Sequence, residues 1–271
     1  MPELPEVEII CRELNSKTES FTIKKTFSSS KKFKRTLPNL DCILGQKIHE
    51  IHRRNKYIIF NLTDFWLVFH LGMTGNLIFN NLEKLQKHIH IILESTNGNN
   101  IFFVDPRRFG SVDLFKKETF KDYKQIPLFH NLGLEPLEKS FTFISFLNLL
   151  KIKKNIKNFL MDSKFVCGIG NIYASEILFL SKINPLRDTS TLTNNEKKLL
   201  YKNIKEVLTK AIEMGGSSIS DFVHTNGKKG EMQNFYNVYG LQKKPCSCCK
   251  STIEKITQNS RSTYFCPNCQ H

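Results

Sequence analysis

The chain opens Met1-Pro2-Glu3-Leu4-Pro5-Glu6-Val7-Glu8, and Pro2 is the residue with the most chemistry to offer. Removal of an initiator Met before a small residue leaves Pro2 as a free secondary amine. An α-amino group titrates near about 7.7–8.0 against about 10.4 for lysine, so at neutral pH roughly a few hundred-fold more of it is neutral and nucleophilic. That difference is worth about 3–4 kcal/mol, trimmed by the greater basicity of proline's ring nitrogen. A secondary amine attacking an aldehyde-level carbon gives an iminium that is cationic without a proton, a built-in electron sink for elimination. The competing reading is a capped amphipathic helix with an idle terminus. Pro5 suits a first helical position, and Val7, Ile10, Cys11 and Leu14 repeat at helical spacing. Glu6 and Glu8 fall in the first turn, where the macrodipole favours anions. Glu3, beside the amine, is the residue that a helix alone leaves unexplained.

Four of the eight cysteines form a second pattern: Cys246-x2-Cys249, sixteen intervening residues, then Cys266-x2-Cys269. Two such knuckles at the ends of a short hairpin can place four thiolates about 2.3 Å from one structural Zn²⁺. Disulfides are disfavoured by the intracellular reading below. Cys248 is too close to Cys246 to replace Cys249, and Cys11, Cys42 and Cys167 read as ordinary buried thiols.

Four glycine-punctuated loops carry further candidates. Gly168-Ile169-Gly170-Asn171 opens a helix, whose free N–H groups suit a phosphate, or it is a plain tight turn. Thr225-Asn226-Gly227-Lys228-Lys229-Gly230 is either a flexible lid over a substrate or a solvated loop. Asp105-Pro106-Arg107-Arg108-Phe109-Gly110 sets two arginines and a phenylalanine on a turn, where a core Phe would be unusual. Extracting a base from a duplex requires a wedge and a hydrogen-bond fork to fill the gap, roles that Phe and Arg serve. Met73, in His70-Leu71-Gly72-Met73-Thr74-Gly75, could fill the remaining void, although a buried gap-filling Met is the commoner use.

These residues must be positioned by a chain of 271 residues with a formal charge of +15, from 40 Lys+Arg against 25 Asp+Glu. That balance points to a polyanion, nucleic acid before membrane. No apolar run approaches the roughly 18 residues of a membrane span and the acidic N-terminus is no signal peptide, so the expectation is a soluble, cytoplasmic protein with no membrane role. After the first helix, strands are expected at 56–62, 66–70, 76–79, 88–94 and 101–104, consistent with a β-sandwich. Beyond Pro136 the pattern turns helical. A helix is expected over Ile172 to Ser181, a turn at Ile183-Asn184-Pro185, and a second helix from the Thr193-Asn194-Asn195-Glu196 capping box to Gly215-Gly216. The expected fold is α+β and multidomain: an N-terminal β-sandwich domain with flanking helices (1–130), a helix–two-turn–helix domain (131–236) and a C-terminal zinc ribbon hairpin (237–271).

Taken together, Pro2 to Glu8, Arg53-Arg54-Asn55-Lys56-Tyr57, His70 to Met73, Asp105 to Gly110, Gly168 to Glu176, Val238-Tyr239-Gly240 and the four cysteines resemble the bacterial formamidopyrimidine-DNA glycosylase (MutM-type) family over essentially the whole chain. The resemblance implies a bifunctional glycosylase and abasic-site lyase of base excision repair, excising oxidised purines such as 8-oxoguanine and formamidopyrimidines from double-stranded DNA. It implies Pro2 as the nucleophile, Glu3 as the acid for sugar-ring opening, Lys56 in phosphate binding and β-elimination, and Arg261 in phosphate binding and δ-elimination. It further implies DNA contacts from His70, His88 and Asn171, a void-filling triad of Met73, Arg107 and Phe109, one structural zinc, and a monomer in the bacterial cytoplasm, associated with the nucleoid. The chain departs from the family in Ser217-Ser218-Ile219-Ser220-Asp221, where a Lys or Arg is frequent near Ser220, and in Leu241, where an arginine is frequent. The run Lys151-Ile152-Lys153-Lys154 matches only loosely, leaving open which lysine of 151–157 meets DNA.

Two rivals remain. An endonuclease VIII-like enzyme cutting at oxidised pyrimidines is opposed by Leu4, where those proteins usually have Gly, and by the Arg107-Arg108-Phe109 turn. A non-catalytic zinc-ribbon lesion sensor is opposed by Pro2, Glu3 and Lys56 occurring together, since phosphate binding needs no N-terminal amine.

Overall fold

Helix α1 (Leu4–Asn15) begins where Pro5 presets the helical φ, and Glu3 occupies its N-cap. The Glu3 N–H donates to Glu6 Oε2 at 2.8 Å, so the first turn satisfies one of its own orphan donors. The computed structural model describes residues 1–33, 35–80, 86–218 and 222–271, which cluster into two compact units. Unit 1 comprises Met1–Asn131 with Met214–Gln233, and unit 2 comprises Leu132–Glu213 with Asn234–His271.

Among the described residues, unit 1 holds eight strands: β1 (Ile23–Ser28), β2 (Ile48–Arg54), β3 (Tyr57–Leu62), β4 (Phe65–His70), β5 (Asn76–Phe79), β6 (Ile89–Ser95), β7 (Asn100–Val104) and β8 (Ser111–Lys116). They form two antiparallel sheets, ordered β1-β6-β7-β5 and β2-β3-β4-β8. Ile23, Leu77, Leu93 and Phe103 of the first share a core with Ile58, Phe60, Leu67, Phe69 and Val112 of the second. Val7, Ile10 and Leu14 of α1 join the same core, so the apolar stripe read from sequence is a packing face. The result is the expected sandwich. Three strands were not legible in advance: β1, β2 and β8 mix apolar with charged residues, as half-solvated strands do.

Unit 2 is built from α2 (Phe143–Leu149), α3 (Ile156–Met161), α4 (Asn171–Leu180) and α5 (Asn194–Glu213), followed by the hairpin β9 (Glu254–Gln258) and β10 (Arg261–Phe265). The capping box is formed as expected: the Thr193 N–H donates to Glu196 Oε2 at 2.7 Å, and the Glu196 N–H to Thr193 Oγ1 at 3.3 Å. Beyond α5 the chain turns through Gly215 and Gly216, both left-handed at φ 72° and 73°. Glu176, buried on α4, accepts the N–H groups of Asn237, Val238 and Tyr239 at 2.8–3.0 Å. That carboxylate fixes the chain as it enters the cysteine hairpin, a link between two motifs that stand sixty residues apart in sequence. Cys42 is exposed rather than buried, a correction that follows from its place in a surface 3₁₀ turn; Cys11 and Cys167 are buried as expected. No helix among the described residues is long and apolar enough to cross a membrane.

Candidate active site and nucleic-acid interface

In unit 1 the groups expected to carry chemistry sit at the ends of rigid elements. Pro2 is buried, while Met1 before it is 42% exposed. Glu3, next to it, is 2% exposed. Lys56 lies in the two-residue turn between β2 and β3, where Asn55 adopts the left-handed conformation (φ 56°) that such turns demand. Arg53 ties this turn to α1. Its Nε donates to Glu8 Oε2 at 2.8 Å and its Nη1 to the Asn55 carbonyl at 3.0 Å. Burial works against ionisation of Glu8, but the guanidinium of Arg53, helped by Arg12, outweighs it and holds the carboxyl below its ordinary range. Sequence reading missed this brace, because nothing local marks a helix glutamate as the partner of an arginine 45 residues away.

Strand register brings His70 to the same end, opposite Tyr57 on β3 and Ser111 on β8. Burial, reinforced by the charge of Lys56, pushes the His70 imidazole down to about 4, so it is neutral at physiological pH. The Gly72 N–H donates to its Nδ1 at 3.1 Å, which leaves the ring proton on Nε2. Beyond His70 the chain turns through Met73, 41% exposed, and the neighbouring turn presents Phe109, 48% exposed. Neither serves as core, so the gap-filling reading of Met73 is set aside. The Arg107 guanidinium lies over the Phe109 ring, 4.7 Å from its centroid. His88 lines a shallow pocket of about 180 Å³ with Lys31, His90, Pro106 and Arg108, a concave basic surface beside the same turn.

The 225–230 segment, read as either a flexible lid or a solvated loop, is anchored at both ends. Thr225 is wholly buried, its N–H and hydroxyl both bonded to Glu13 Oε2 at 2.8 and 2.7 Å. The Phe79 N–H donates to the Thr225 carbonyl at 2.8 Å, extending the edge of β5. At the other end, a Cβ on Gly230 would sit 2.0 Å from the Gly215 carbonyl oxygen. Only 226–229 form an exposed crown. Of the Ser217–Asp221 stretch, 219–221 lie outside the described residues. The Ser217 N–H reaches back to Glu6 Oε1 at 2.8 Å, so one buried carboxylate serves both the Glu3 amide and the stem of this segment.

Glu13 also accepts from His224 Nδ1 at 2.5 Å, while Nε2 donates to the Gly215 carbonyl at 2.8 Å. The bond to Glu13 raises the His224 imidazole above its ordinary 6.5. Burial opposes ionisation of Glu13, yet bonds from His224 and Thr225 draw it down to about 2. Because His224 is raised, its contribution to holding the segment is complete below pH 6.5 and is lost as pH climbs through the elevated value. The Glu13 contribution is complete above 4.5 and fades as pH falls toward about 2. A proton NMR titration of His224 is therefore expected to show a midpoint above 6.5, abolished as an upward shift by Glu13→Gln; a wild-type midpoint at or below 6.5 contradicts the Glu13–His224 bond.

In unit 2 three groups meet at the β9–β10 hairpin. Asn259 and Ser260 form its two-residue tip, both with positive φ (45° and 60°), which sets exposed Arg261 immediately after the turn. Asn171, first residue of α4, donates from Nδ2 to the Ser262 carbonyl at 2.9 Å. The Asn171 Oδ1 is buried without a partner among the described residues, a polar atom whose position suits a further hydrogen bond. Lys157, 1% exposed, donates to Thr263 Oγ1 at 2.6 Å and to the Ser262 carbonyl at 3.1 Å. This separates the lysines of 151–157: Lys151 and Lys153 are exposed, Lys154 pairs with Asp162 at 2.6 Å, and Lys157 braces the hairpin that carries Arg261.

The Sγ atoms of Cys246, Cys249, Cys266 and Cys269 all lie within 4.8 Å of one another. Cys249 to Cys266 is 3.4 Å and Cys246 to Cys269 is 3.9 Å. Four thiolates about 2.3 Å from one Zn²⁺ would stand about 3.8 Å apart at tetrahedral corners, so the cluster is compatible with one structural zinc. Hydrogen bonds from Ser251, then Asn268, draw the Cys249 thiol down to about 5, whereas burial pushes the Cys266 and Cys269 thiols up, so the charge of a bound metal is what would make all four thiolates.

A sandwich preceded by a helix with proline at position 2, a helix–two-turn–helix unit and a four-cysteine hairpin define a helix–two-turn–helix, zinc-finger class of protein. Residues 1–112 match the family described as "Formamidopyrimidine-DNA glycosylase N-terminal domain", 132–223 match "Formamidopyrimidine-DNA glycosylase H2TH domain", and 243–271 match "Zinc finger found in FPG and IleRS". The formamidopyrimidine-DNA glycosylase of Wolbachia sp. subsp. Brugia malayi is 42% identical over 276 residues, covering 100% of both chains. A Lactococcus lactis FPG mutant, solved in complex with a Fapy-dG containing DNA, superposes with TM-score 0.89 at 35% identity over 100% of both chains. MutM (FPG) from Thermus thermophilus superposes with TM-score 0.87 at 35% identity over 99% of this chain and 98% of that one. The chain belongs to the formamidopyrimidine-DNA glycosylase family.

Proposed function

We propose that the protein is a bifunctional DNA glycosylase and abasic-site lyase that removes oxidised purines, 8-oxoguanine and formamidopyrimidines, from duplex DNA. The observation that carries this reading is the head of α1: Pro2 and Glu3 adjoin each other, and the Arg53–Glu8 brace fixes the Lys56 turn to the same helix. The freed Pro2 nitrogen attacks C1′ of the damaged nucleotide, the glycosidic bond breaks, and the base leaves with its electron pair and takes up the proton that the attacking amine gives up. Glu3 protonates O4′ as the sugar opens, and the nitrogen lone pair forms the iminium. Loss of a C2′ proton into that electron sink expels the 3′ phosphate, with Lys56 beside it, and a second elimination expels the 5′ phosphate, assisted by Arg261. A gap with phosphate at both ends results.

Met73, Arg107 and Phe109 fill the void left by the extruded nucleotide, Arg107 facing the orphaned cytosine; His70, His88 and Asn171 contact the backbone. Cys246, Cys249, Cys266 and Cys269 hold zinc, which supplies structure to the Arg261 hairpin. We assign the functional parts as 1–130, 131–236 and 237–271, with the Met214–Gln233 stretch of the second packed in unit 1, acting as a monomer on nucleoid DNA in the bacterial cytoplasm. Two measurements test this. Incision of a duplex carrying 8-oxoguanine opposite cytosine is expected, and activity confined to oxidised pyrimidines contradicts it. Log affinity against log salt should fall by about 0.9 for each phosphate that a Lys or Arg neutralises, whereas a flat response means the basic surface is not used for DNA.

A further inference from the structure

Asp105, at the end of β7, is wholly buried, and its two carboxylate oxygens hold two different turns. Oδ1 accepts from the Thr74 hydroxyl at 2.5 Å and Oδ2 from the Gly110 N–H at 2.8 Å. Thr74 Oγ1 in turn accepts the Arg107 N–H at 3.2 Å. The backbone of Asp105 is itself anchored: its carbonyl accepts from His90 Nε2 at 3.0 Å, and Ser29 donates to His90 Nδ1 at 2.9 Å. The two turns also touch backbone to backbone. A Cβ on Gly72 (φ 61°) would stand 2.5 Å from the Phe109 carbonyl carbon and 2.6 Å from the Gly110 nitrogen. Arg108, held left-handed at φ 58°, is the strained residue that the network must retain. A buried carboxylate is costly to leave without donors, and here both its donors come from the turns that expose Met73 and Phe109.

We propose that Asp105 and Thr74 are positioning residues that lock the Met73 turn and the Arg107–Phe109 turn into one preformed wedge. The inference rests on the glycosylase reading and on the wedge assigned above. Base extrusion then proceeds without reorganising either turn, and misplacement of the wedge by an ångström slows only reactions in which a paired base must be displaced.

Thr74→Val keeps the side-chain shape and removes the hydroxyl, freeing Asp105 Oδ1 and the Arg107 N–H together. In single turnover, excision of 8-oxoguanine paired with cytosine is expected to fall about ten-fold or more, by the usual penalty for misplaced groups. Cleavage of an abasic site facing a second abasic site, with no base to displace, should stay within about two-fold, because that step lies outside the wedge. Thr74→Ser restores excision, and Asp105→Asn, which removes the charge, shows the same split as Thr74→Val should the valine variant fold poorly. Wild-type excision by Thr74→Val, or equal loss of both reactions along with a lowered Tm, overturns the proposal. If the wild type fails to excise the lesion, or Phe109→Ala excises it normally, the underlying reading fails instead, since both proteins keep Asp105 and Thr74 intact.

Discussion

Pro2→Gly protein is expected to bind a lesion-bearing duplex about as tightly as wild type while losing about a hundred-fold or more in cleavage. Glycine keeps a terminal amine, but a primary one, whose imine needs a proton before it can draw electrons. It also surrenders the fixed φ that aims the nitrogen at the head of α1. A bulkier change such as Pro2→Leu blocks removal of Met1, turns the nitrogen at position 2 into an amide, and should abolish cleavage altogether. Binding survives in both because phosphate contacts need no amine. Fluorescence anisotropy and single-turnover gel assays on one preparation separate the two properties. Unchanged cleavage by Pro2→Gly sinks the assignment of the nucleophile.

Removal of zinc is expected to act in the opposite sense, on binding before chemistry. A four-thiolate zinc contributes about 10–16 kcal/mol to the fold of a small metal-bound element. The β9–β10 hairpin is five residues on each side, with the cysteine cluster as much of its core. Without the metal, Arg261, the Asn171 bond to Ser262 and the Lys157 bond to Thr263 lose their common framework. Chelated protein, or Cys266→Ser, should lose duplex affinity by at least about a hundred-fold, more than the effect of any single phosphate contact. Its Pro2 amine, borne on unit 1, should still form a Schiff base with a short single-stranded abasic oligonucleotide at high concentration. Duplex binding as tight as that of the holoprotein would make the ribbon dispensable.

The elements that sequence predicts well here are those with local signals. The Thr193–Glu196 box, the Pro5 helix start, the Gly215-Gly216 stop and the CxxC pairs each satisfy themselves within a few residues, so their chemistry is written next to itself. The central strands β3 and β4 are almost uniformly apolar and were equally plain, whereas β1, with buried Ile23 followed by exposed Lys24 and Lys25, carries no alternation strong enough to read. Candidate site residues were legible by type, but what holds them was not. Glu8 with Arg53, and Glu13 with His224, are pairs 45 and 211 residues apart in sequence. The glycine-lysine loop at 225–230 was legible only in part for the same reason: Thr225 and Gly230 look like loop residues until Glu13 and Gly215 are seen against them. Glycine there permits close backbone packing rather than freedom.

Borohydride reduction during reaction with a duplex carrying 8-oxoguanine opposite cytosine, followed by peptide mass mapping, tests the central claim most directly. The predicted result is a covalent DNA adduct on Pro2, the first residue of a chain that has lost Met1. An adduct on a lysine such as Lys56, or no adduct despite tight binding, contradicts it.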